Sequence, residues 1–389
     1  MHPSSLLSYY PTYSILDEIV AKNDYKTLNL YFDLKNNLQS TYMQHAIVNI
    51  VESSKRSKYV DTSVFSSLIS FLTFHKIWGI KRGIDVNFYI FFETGKSFYH
   101  KNISKKYKIS RQIDDLYGLD RVDRDLFFHT LQSNFQLIEK ACNLLPNVKV
   151  IRLQNLEADF VPYYLITRNK VSRDENVAHL IYSNDHDLLQ CIRDHVFIFS
   201  KAGKYKKIIQ KNEVMKNLLK KDVDISDEYI TLAMSITGDV GDDVDGVPNV
   251  GPARFIGTFN ELLSVIKSMD NLFNKVENNL PIFDPLPTKI RNKYLMKIIE
   301  SEAKSQQVSK SLKLVSFELL SRALDNPKST EILEKRKSIE KILNEDKVVP
   351  RESWKKALER NGVMLEESID FLYIWGINNV KPTKSIRLY

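Results

Sequence analysis

The chain has 389 residues, 43% hydrophobic and 27% charged, with a net charge of +8. That composition is of a soluble globular protein, long enough for two or three domains around a real core. Its two cysteines exclude a disulfide scaffold and a four-cysteine zinc site and suit a reducing compartment, while the basic balance is compatible with an anionic partner without singling one out.

Residues 1–27 read as a polar and aromatic lead-in of unassigned structure, without the basic start and apolar core of a signal peptide. The segment 28–34, L-N-L-Y-F-D-L, predicts a short strand with Asp33 near its end. Helical spacing runs over about 37–51, and a basic loop with Lys55, Arg56 and Lys58 follows. The apolar-rich stretch 64–80 is interrupted by Ser66, Ser67, Ser70, His75 and Lys76, so it predicts a buried helix and not a membrane span. Residues 84–92 are nearly all apolar or aromatic and predict a central strand ending at Glu93.

The segment 95–111 carries Lys96, Lys101, Lys105, Lys106, Lys108 and Arg111, has no acidic residue, and interleaves Phe98, Tyr99 and Tyr107. Cations can neutralise phosphates while aromatic rings stack on unpaired bases. The bland alternative is a solvated loop with a few anchoring rings. A helix is expected over 120–145 and a strand over 148–153. Another helix begins at Glu157, with Asp159 in its first turn. Carboxylates there are favoured by the helix dipole in any case. Residues two apart in a formed helix do not share a face, so both line one site only if Glu157 lies at or before the helix start.

The strand expected over 178–183 leads into Asp185 and Asp187, which in extended chain point the same way. A short helix from Leu188 and a hairpin over 196–209 follow. His186, between the aspartates, reads as a surface residue, and Cys142 and Cys191 as packing residues. From Ser226 the chain turns helical, then runs T-G-D-V-G-D-D-V-D-G-V-P-N-V-G-P, which places Asp239 and Asp242 three apart. Gly and Pro break the chain sharply there, with Arg254 just beyond. A helix over 259–269 closes this unit, and residues from about 270 onward are helical and charged, with Trp354 and Trp375 pointing to a modest packed bundle.

Alternation of strands and helices implies an α/β layer structure with a largely parallel sheet. Asp33, Glu93, Glu157, Asp159 and Asp185 each fall at or just past the C-terminal end of an expected strand. Ligands bind at that edge of open α/β sheets. So many gathered carboxylates repel one another unless cations are present, and carboxylate oxygens suit hard cations.

At these residues the sequence resembles the structure-specific 5′ nucleases: flap endonucleases, 5′ nuclease domains of polymerases, and phage 5′ exonucleases or RNase H-type enzymes. The likeness covers roughly residues 28–270. It rests on S-N-D-H-D-L-L-Q from Ser183 to Gln190, and on Gly238-Asp239-Val240-Gly241-Asp242 followed by Gly246-Val247-Pro248-Asn249-Val250-Gly251. Glu157-Ala158-Asp159 and Tyr107-Lys108-Ile109-Ser110-Arg111 complete it. The chain departs from the pattern at Glu93 for Asp, Phe160 for a further Asp of many members, Asn249 for Gly, and Leu34-Lys35 after Asp33. It reads as a divergent member, of the phage or viral kind.

The resemblance implies a PIN-like sheet flanked by helices over 28–225 with a basic arch near 95–145, a helix–three-turn–helix unit over 226–270, and a C-terminal helical region over 271–389. It implies that Asp33, Glu93, Glu157 and Asp159 hold one Mg²⁺ and Asp185, Asp187, Asp239 and Asp242 a second, with Mn²⁺ able to substitute. Asp33, Glu157 and Asp185 thereby serve catalysis, with Lys108 and Arg111 steadying the scissile phosphate. Tyr107 stacks on a terminal base, helped by Lys105 and Lys106. Gly246, Val247, Val250, Gly251 and Arg254 form the turn that grips duplex backbone, with a K⁺ ion.

The implied substrate is DNA with a 5′ flap, nick, gap or 5′ end, or an RNA–DNA hybrid, cut in replication or repair. Further expectations are a monomer in the cytoplasm, not secreted and with no membrane partner, and a replication protein met through the C-terminal region. Two other readings stand beside this one: a PIN-type ribonuclease, and a degenerate protein that binds branched DNA without cutting it.

Overall fold

A computed structural model describes residues 13–34, 63–108, 121–168, 176–202, 205–284, 286, 290–327, 330–344 and 375. The helix expected over 37–51, the basic loop at 55–58, Arg111 and Trp354 lie outside the described residues.

Six strands form one sheet: β1 (Thr27–Asp33), β2 (Asp85–Thr94), β3 (Val148–Gln154), β4 (Val177–Tyr182), β5 (Val196–Ala202) and β6 (Tyr205–Ile209). Their order is β3-β2-β1-β4-β5-β6, all parallel except the β5–β6 hairpin. The chain builds outward from β1 to β3 and then returns to the other side of β1. The crevice at that reversal, beyond the C-terminal strand ends, is where such sheets hold ligands.

Parallel strands are covered on both faces, which explains their continuous apolar runs. Every residue of β4 is buried, as are six of the seven in β1. Alternate side chains enter two cores. Tyr31, Phe91, Ile151, Leu153 and Ile181 face one; Leu30, Phe32, Phe88, Ile90, Leu180 and Tyr182 face the other.

The second core is closed by α1 (Tyr13–Ile19), α2 (Ser63–Arg82) and, later in the chain, Arg121–Cys142. In α2 the buried Phe65, Leu68, Ile69 and Leu72 recur at the spacing of one helix face. His75 is tolerated in that core because Phe71 carbonyl and Tyr182 hydroxyl lie 2.8 and 2.6 Å from its two ring nitrogens. Burial draws its pKa down to about 4. No described helix is long and apolar enough to cross a membrane. The lead-in before β1 is structured from Tyr13: Leu16, Ile19 and Val20 are buried, and Asp17 accepts from Trp78 Nε1 at 3.0 Å.

The remaining helices among the described residues are α3 (Phe98–Ile103), α4 (Arg121–Cys142), α5 (Phe160–Arg168), α6 (Val214–Leu219), α7 (Ile230–Thr237), α8 (Pro252–Ile256), α9 (Phe259–Ile266) and α10 (Met269–Glu277). Then come α11 (Lys293–Ser305), α12 (Gln307–Val315), α13 (Phe317–Asp325) and α14 (Thr330–Asn344). The single helix expected over 259–269 is split. Lys267 takes a φ of 68°, and Ser268 starts α10 by accepting from Asn271 N–H.

The C-terminal helices do not stand apart as a bundle of their own. Leu295, Ile298, Val308, Leu312, Leu319, Leu320 and Ile339 join the same core as the first sheet face. Gln190, in the 3₁₀ turn after β4, ties them in. Its amide donates to Val315 carbonyl at 2.8 Å and accepts from Phe317 N–H at 3.1 Å, all buried. Trp375 packs on Phe88 on the opposite face, with ring centroids 5.9 Å apart.

Candidate active site

The strand ends deliver the acidic residues to one crevice. Asp33 closes β1 and Glu93 is the penultimate residue of β2. After β3 the chain does not enter a helix until Phe160. Glu157 and Asp159 therefore precede the helix, and the geometric condition for both to line one site is met. This corrects the expected helix start at Glu157. Beyond β4, Asp185 caps the 3₁₀ turn His186–Cys191 by accepting from Asp187 N–H at 3.0 Å. Ser183 links two strands, donating to Asp33 at 3.4 Å and accepting from Asp185 N–H at 3.1 Å. His186 is exposed, as expected, and both cysteines are buried and free.

Asp239 and Asp242 come from a separate loop after α7. Asp239 accepts from Gly241 N–H at 2.8 Å and so caps its own turn, while Asp242 is 4% exposed and faces inward. The spacing of three thus does not put the two carboxylates to equal use.

Lys108 joins the loop to the sheet. Its Nζ lies 2.6 Å from Glu157 Oε1 and 3.2 Å from Asp242 Oδ2. Its backbone N–H donates to Asp242 carbonyl at 3.1 Å, and its φ is 53°. A left-handed conformation at a non-glycine residue costs about 1–3 kcal/mol and persists where surrounding contacts impose it. Tyr107 hydroxyl donates to Glu157 at 2.9 Å and reaches Asp242 at 3.3 Å.

Electrostatics mark the crevice as a place of unbalanced negative charge. Asp159 and Asp187 each have a buried Oδ1 with no hydrogen-bond partner. Burial pushes the Asp159 carboxyl well above its usual range, with Glu157, Asp185 and Glu93 adding to the rise. Burial does the same for Asp187, reinforced by Asp185, Asp242 and Asp159. At Glu157 burial raises the pKa, but His100 and Lys108 outweigh it and hold the group below normal. Burial draws the Lys108 ammonium down, and Glu157, Asp159 and Asp242 reverse that and hold it charged. Asp159 thus feels Glu157, Glu93 and Asp185, and Asp187 feels Asp185, Asp242 and Asp159.

Orphaned carboxylate oxygens at a strand-tip crevice are a donor set that fits hard divalent cations. Among the described residues no three acidic, histidine or cysteine side chains stand close enough to hold an ion as placed. The ammonium of Lys108 occupies the position between Glu157 and Asp242 instead.

Tyr107 was expected to offer its ring to a base. That expectation is corrected: the ring is 8% exposed and stacked on His100, with centroids 4.6 Å apart and planes at 14°. Its hydroxyl is drawn inward by two carboxylates, which sequence alone did not reveal. Lys96, Lys101, Lys105 and Lys106 are exposed nearby. The stretch 98–103 is helical, not loop, with Ser97 as its cap.

His100 is the residue that sequence reading missed. It is 5% exposed. Ser97 Oγ lies 2.7 Å from its Nδ1, its Nε2 is 4.0 Å from Glu157 Oε2, and its helix packs against α12. Burial lowers its pKa, against the pull of Glu157. A histidine three residues after a helix-capping serine was the available signal.

The Gly/Pro turn is built from backbone contacts. A Cβ on Gly238 would lie 2.5 Å from Gly246 N, and one on Gly246 would lie 2.5 Å from Thr237 C. The two segments touch main chain to main chain, which only glycine permits. Val247 and Val250 are buried anchors, while Gly251 opens α8 with Pro252 at its first position. Asn249 takes a φ of 63°, a left-handed conformation that asparagine tolerates in place of glycine. Arg254 is exposed, bonded to Asn249 carbonyl, and lies over the Tyr294 ring at 4.9 Å.

Residues 55–219 match the family model of the 5′-3′ exonuclease N-terminal, resolvase-like domain. A curated 5′-3′ exonuclease of Buchnera aphidicola subsp. Acyrthosiphon pisum is 25% identical over 198 residues, which is 50% of this chain and 58% of that protein. The chain therefore spans little more than half the length of that relative. Among solved structures, the bacteriophage T5 D15 flap endonuclease, in a pseudo-enzyme-product complex with DNA and metal ions, aligns with a TM-score of 0.56 at 18% identity. The alignment covers 82% of this chain and 100% of that one. The T5 D15 protein co-crystallised with metal ions gives 0.54 at 18% identity, over 81% of this chain and 98% of that one. These likenesses establish a shared fold that continues past residue 219, where the sequence match stops. The chain is thus similar in sequence to the N-terminal domain of 5′-3′ exonucleases over residues 55–219, and it shares the fold of the T5 flap endonuclease.

Proposed function

We propose that this chain is a divalent-cation-dependent nuclease that hydrolyses a phosphodiester near a 5′ end, where single strand meets duplex. The observation that carries this reading is the cluster itself. Asp159 and Asp187, both buried, keep an unpartnered oxygen each beside Glu157, Asp185 and Asp242. Such an arrangement is costly to fold and is explained by cations that neutralise it.

Asp33, Glu93, Glu157 and Asp159 would hold a cation on the β1–β3 side, and Asp185, Asp187, Asp239 and Asp242 one on the other. Such ions supply Lewis-acid activation and charge neutralisation at phosphate oxygens. Mg²⁺ is the proposed ion, with Mn²⁺ as substitute, and K⁺ the ion proposed at the turn.

The side chains of this chain divide the remaining work. Lys108, charged and 23% exposed at its side chain, borders the crevice and can direct N–H donors at a phosphate. With Glu157 and Asp242 engaged elsewhere, its ammonium is released toward the substrate. Arg111, three residues on, is proposed to support the same charge. Tyr107 holds the Glu157 and Asp242 carboxylates together through its hydroxyl. Exposed Lys105 and Lys106 contact the strand, and the main chain of 246–251 with Arg254 grips the duplex. Contacts of that kind position DNA without reading its sequence.

The test is cleavage of end-labelled 5′ flap, nicked duplex, RNA–DNA hybrid and single strand, with Mg²⁺ or with EDTA. Mg²⁺-dependent cutting near the junction supports the reading. Tight, salt-sensitive binding of branched DNA with no cutting supports the second reading, a binding protein without catalysis. That alternative is favoured by one observation: Lys108 rests between two of the carboxylates, and no acidic trio is ready-formed among the described residues.

A further inference from the structure

We propose that His100 is the positioning residue of the carboxylate cluster, acting through Tyr107. The inference rests on the nuclease reading but can fail independently of it. Tyr107 carries one hydroxyl to two carboxylates from different segments, Glu157 after β3 and Asp242 after α7. A single phenol reaches both only if its ring is set in position and angle. The ring's own backbone does not ensure that, because the next residue, Lys108, lies in a left-handed turn.

His100 supplies the missing constraint. Its ring lies parallel to the Tyr107 ring at 4.6 Å and 14°. The histidine is itself fixed by Ser97 Oγ at 2.7 Å and by burial at 5% exposure, with α3 packed against α12. Ser97 also starts α3, so the helix and the ring are set by the same hydroxyl. Through that helix contact the platform joins the basic segment to the C-terminal helices. The Nε2 edge faces Glu157 at 4.0 Å, beyond hydrogen-bond reach, so the ring orients the phenol and does not replace it as the donor. Partners that orient the groups around an ion typically change affinity or activity by about 10–100-fold when removed.

The full-length chain is compared as wild type, His100→Ala, His100→Phe, Tyr107→Phe and the double variant His100→Ala/Tyr107→Phe. One readout is Mg²⁺ affinity by calorimetry without DNA; the other is the cleavage rate of a bound 5′ flap. His100→Ala is expected to weaken Mg²⁺ binding and slow cleavage roughly 10-fold or more, with KM for DNA unchanged. His100→Phe keeps a ring face and is expected to recover part of both. In the Tyr107→Phe background, His100→Ala should add nothing further, because the hydroxyl it positions is already gone.

Multiplying effects in the double variant would overturn the proposal, as would a His100→Ala protein with unchanged Mg²⁺ affinity. If His100→Ala does not fold, His100→Phe carries the same cycle. Wild type that binds Mg²⁺ but cuts nothing would remove the nuclease reading while leaving the coupling of His100 and Tyr107 to be read by calorimetry.

Discussion

At the strand tips the proposed working groups are side chains, held close against their mutual repulsion; at the Gly/Pro turn, proposed to grip duplex backbone, they would be main-chain amides on a loop whose Val247 and Val250 are buried. The first region concentrates charge where water is scarce. Asp159, Asp187 and Asp242 are each less than a tenth exposed. The second has glycine at its crossing point, exposed Pro248 and Asn249, and one exposed cation, Arg254. A site that changes bonds needs specific functional groups. A site that holds a repeating phosphate backbone needs only donors at the right spacing. Damage to the two should therefore separate, one costing rate and the other costing grip.

The largest expected effect is at Asp187. Replacing it by Asn should slow cleavage by about three orders of magnitude, roughly 4 kcal/mol at the barrier. DNA affinity measured in EDTA should stay within a few-fold. A variant that cuts normally would dissolve the distinction. Next is Lys108→Ala, which removes the ammonium bridging Glu157 and Asp242. Single-turnover rates should fall about 100-fold or more, with binding again little changed.

On the other side of the comparison, Gly246→Ala forces a methyl group into the Thr237 main chain. It should cost about 1–3 kcal/mol of stability and weaken binding of duplex-containing DNA. The rate of cutting once DNA is bound should hold. Loss of rate with intact binding would show that the turn also shapes the crevice.

A smaller and more diagnostic effect is on stability against pH. Asp159 and Asp187 have raised folded-state pKa values, so they keep protons that the unfolded chain has released. Their stabilising contribution is complete below about pH 4 and is lost as pH rises through the raised values. Glu157, held low, works in the opposite sense, contributing above about pH 4.3 and losing that as pH falls. Glu157 is already ionised above that pH, and buried His75, His100 and His179, with pKa values lowered by desolvation, oppose the two aspartates, so the aspartate contribution is read as a difference between proteins. In EDTA the melting temperature of Asp187→Asn should fall less with rising pH than that of wild type, and Mg²⁺ should shrink the difference.

The sheet was readable because buried parallel strands are unbroken apolar runs. Strands β1 to β4 lie within a residue or two of where those runs place them, and Asp33, Glu93 and Asp185 fall at their ends for the same reason. Position along a strand says which acids reach the crevice, but not which carboxylate oxygens remain unpartnered there. That depends on partners far away in sequence. Asp242 meets Tyr107 across 135 positions, and no periodicity encodes such a contact. His100 was hidden for the same reason, and Tyr107 was misjudged because an aromatic ring among lysines looks identical whether it faces a base or a carboxylate. At the turn, Asn249 looked like a departure until its positive φ showed that it satisfies the same backbone demand as glycine.

Gln190 gives the molecule a schedule as well as a shape. It follows Asp185 and Asp187 closely in the chain, yet its amide waits for Val315 and Phe317, which leave the ribosome more than a hundred residues later. A nascent chain folds from its N-terminus as it emerges. Until α12 and α13 are made, the Gln190 amide at the base of the turn that carries Asp187 has neither of those partners, and α3 lacks the helix it packs against. The acidic crevice is thus finished only once α12 and α13 have emerged, so a product cut short before them carries all the acidic residues without the frame that arranges them.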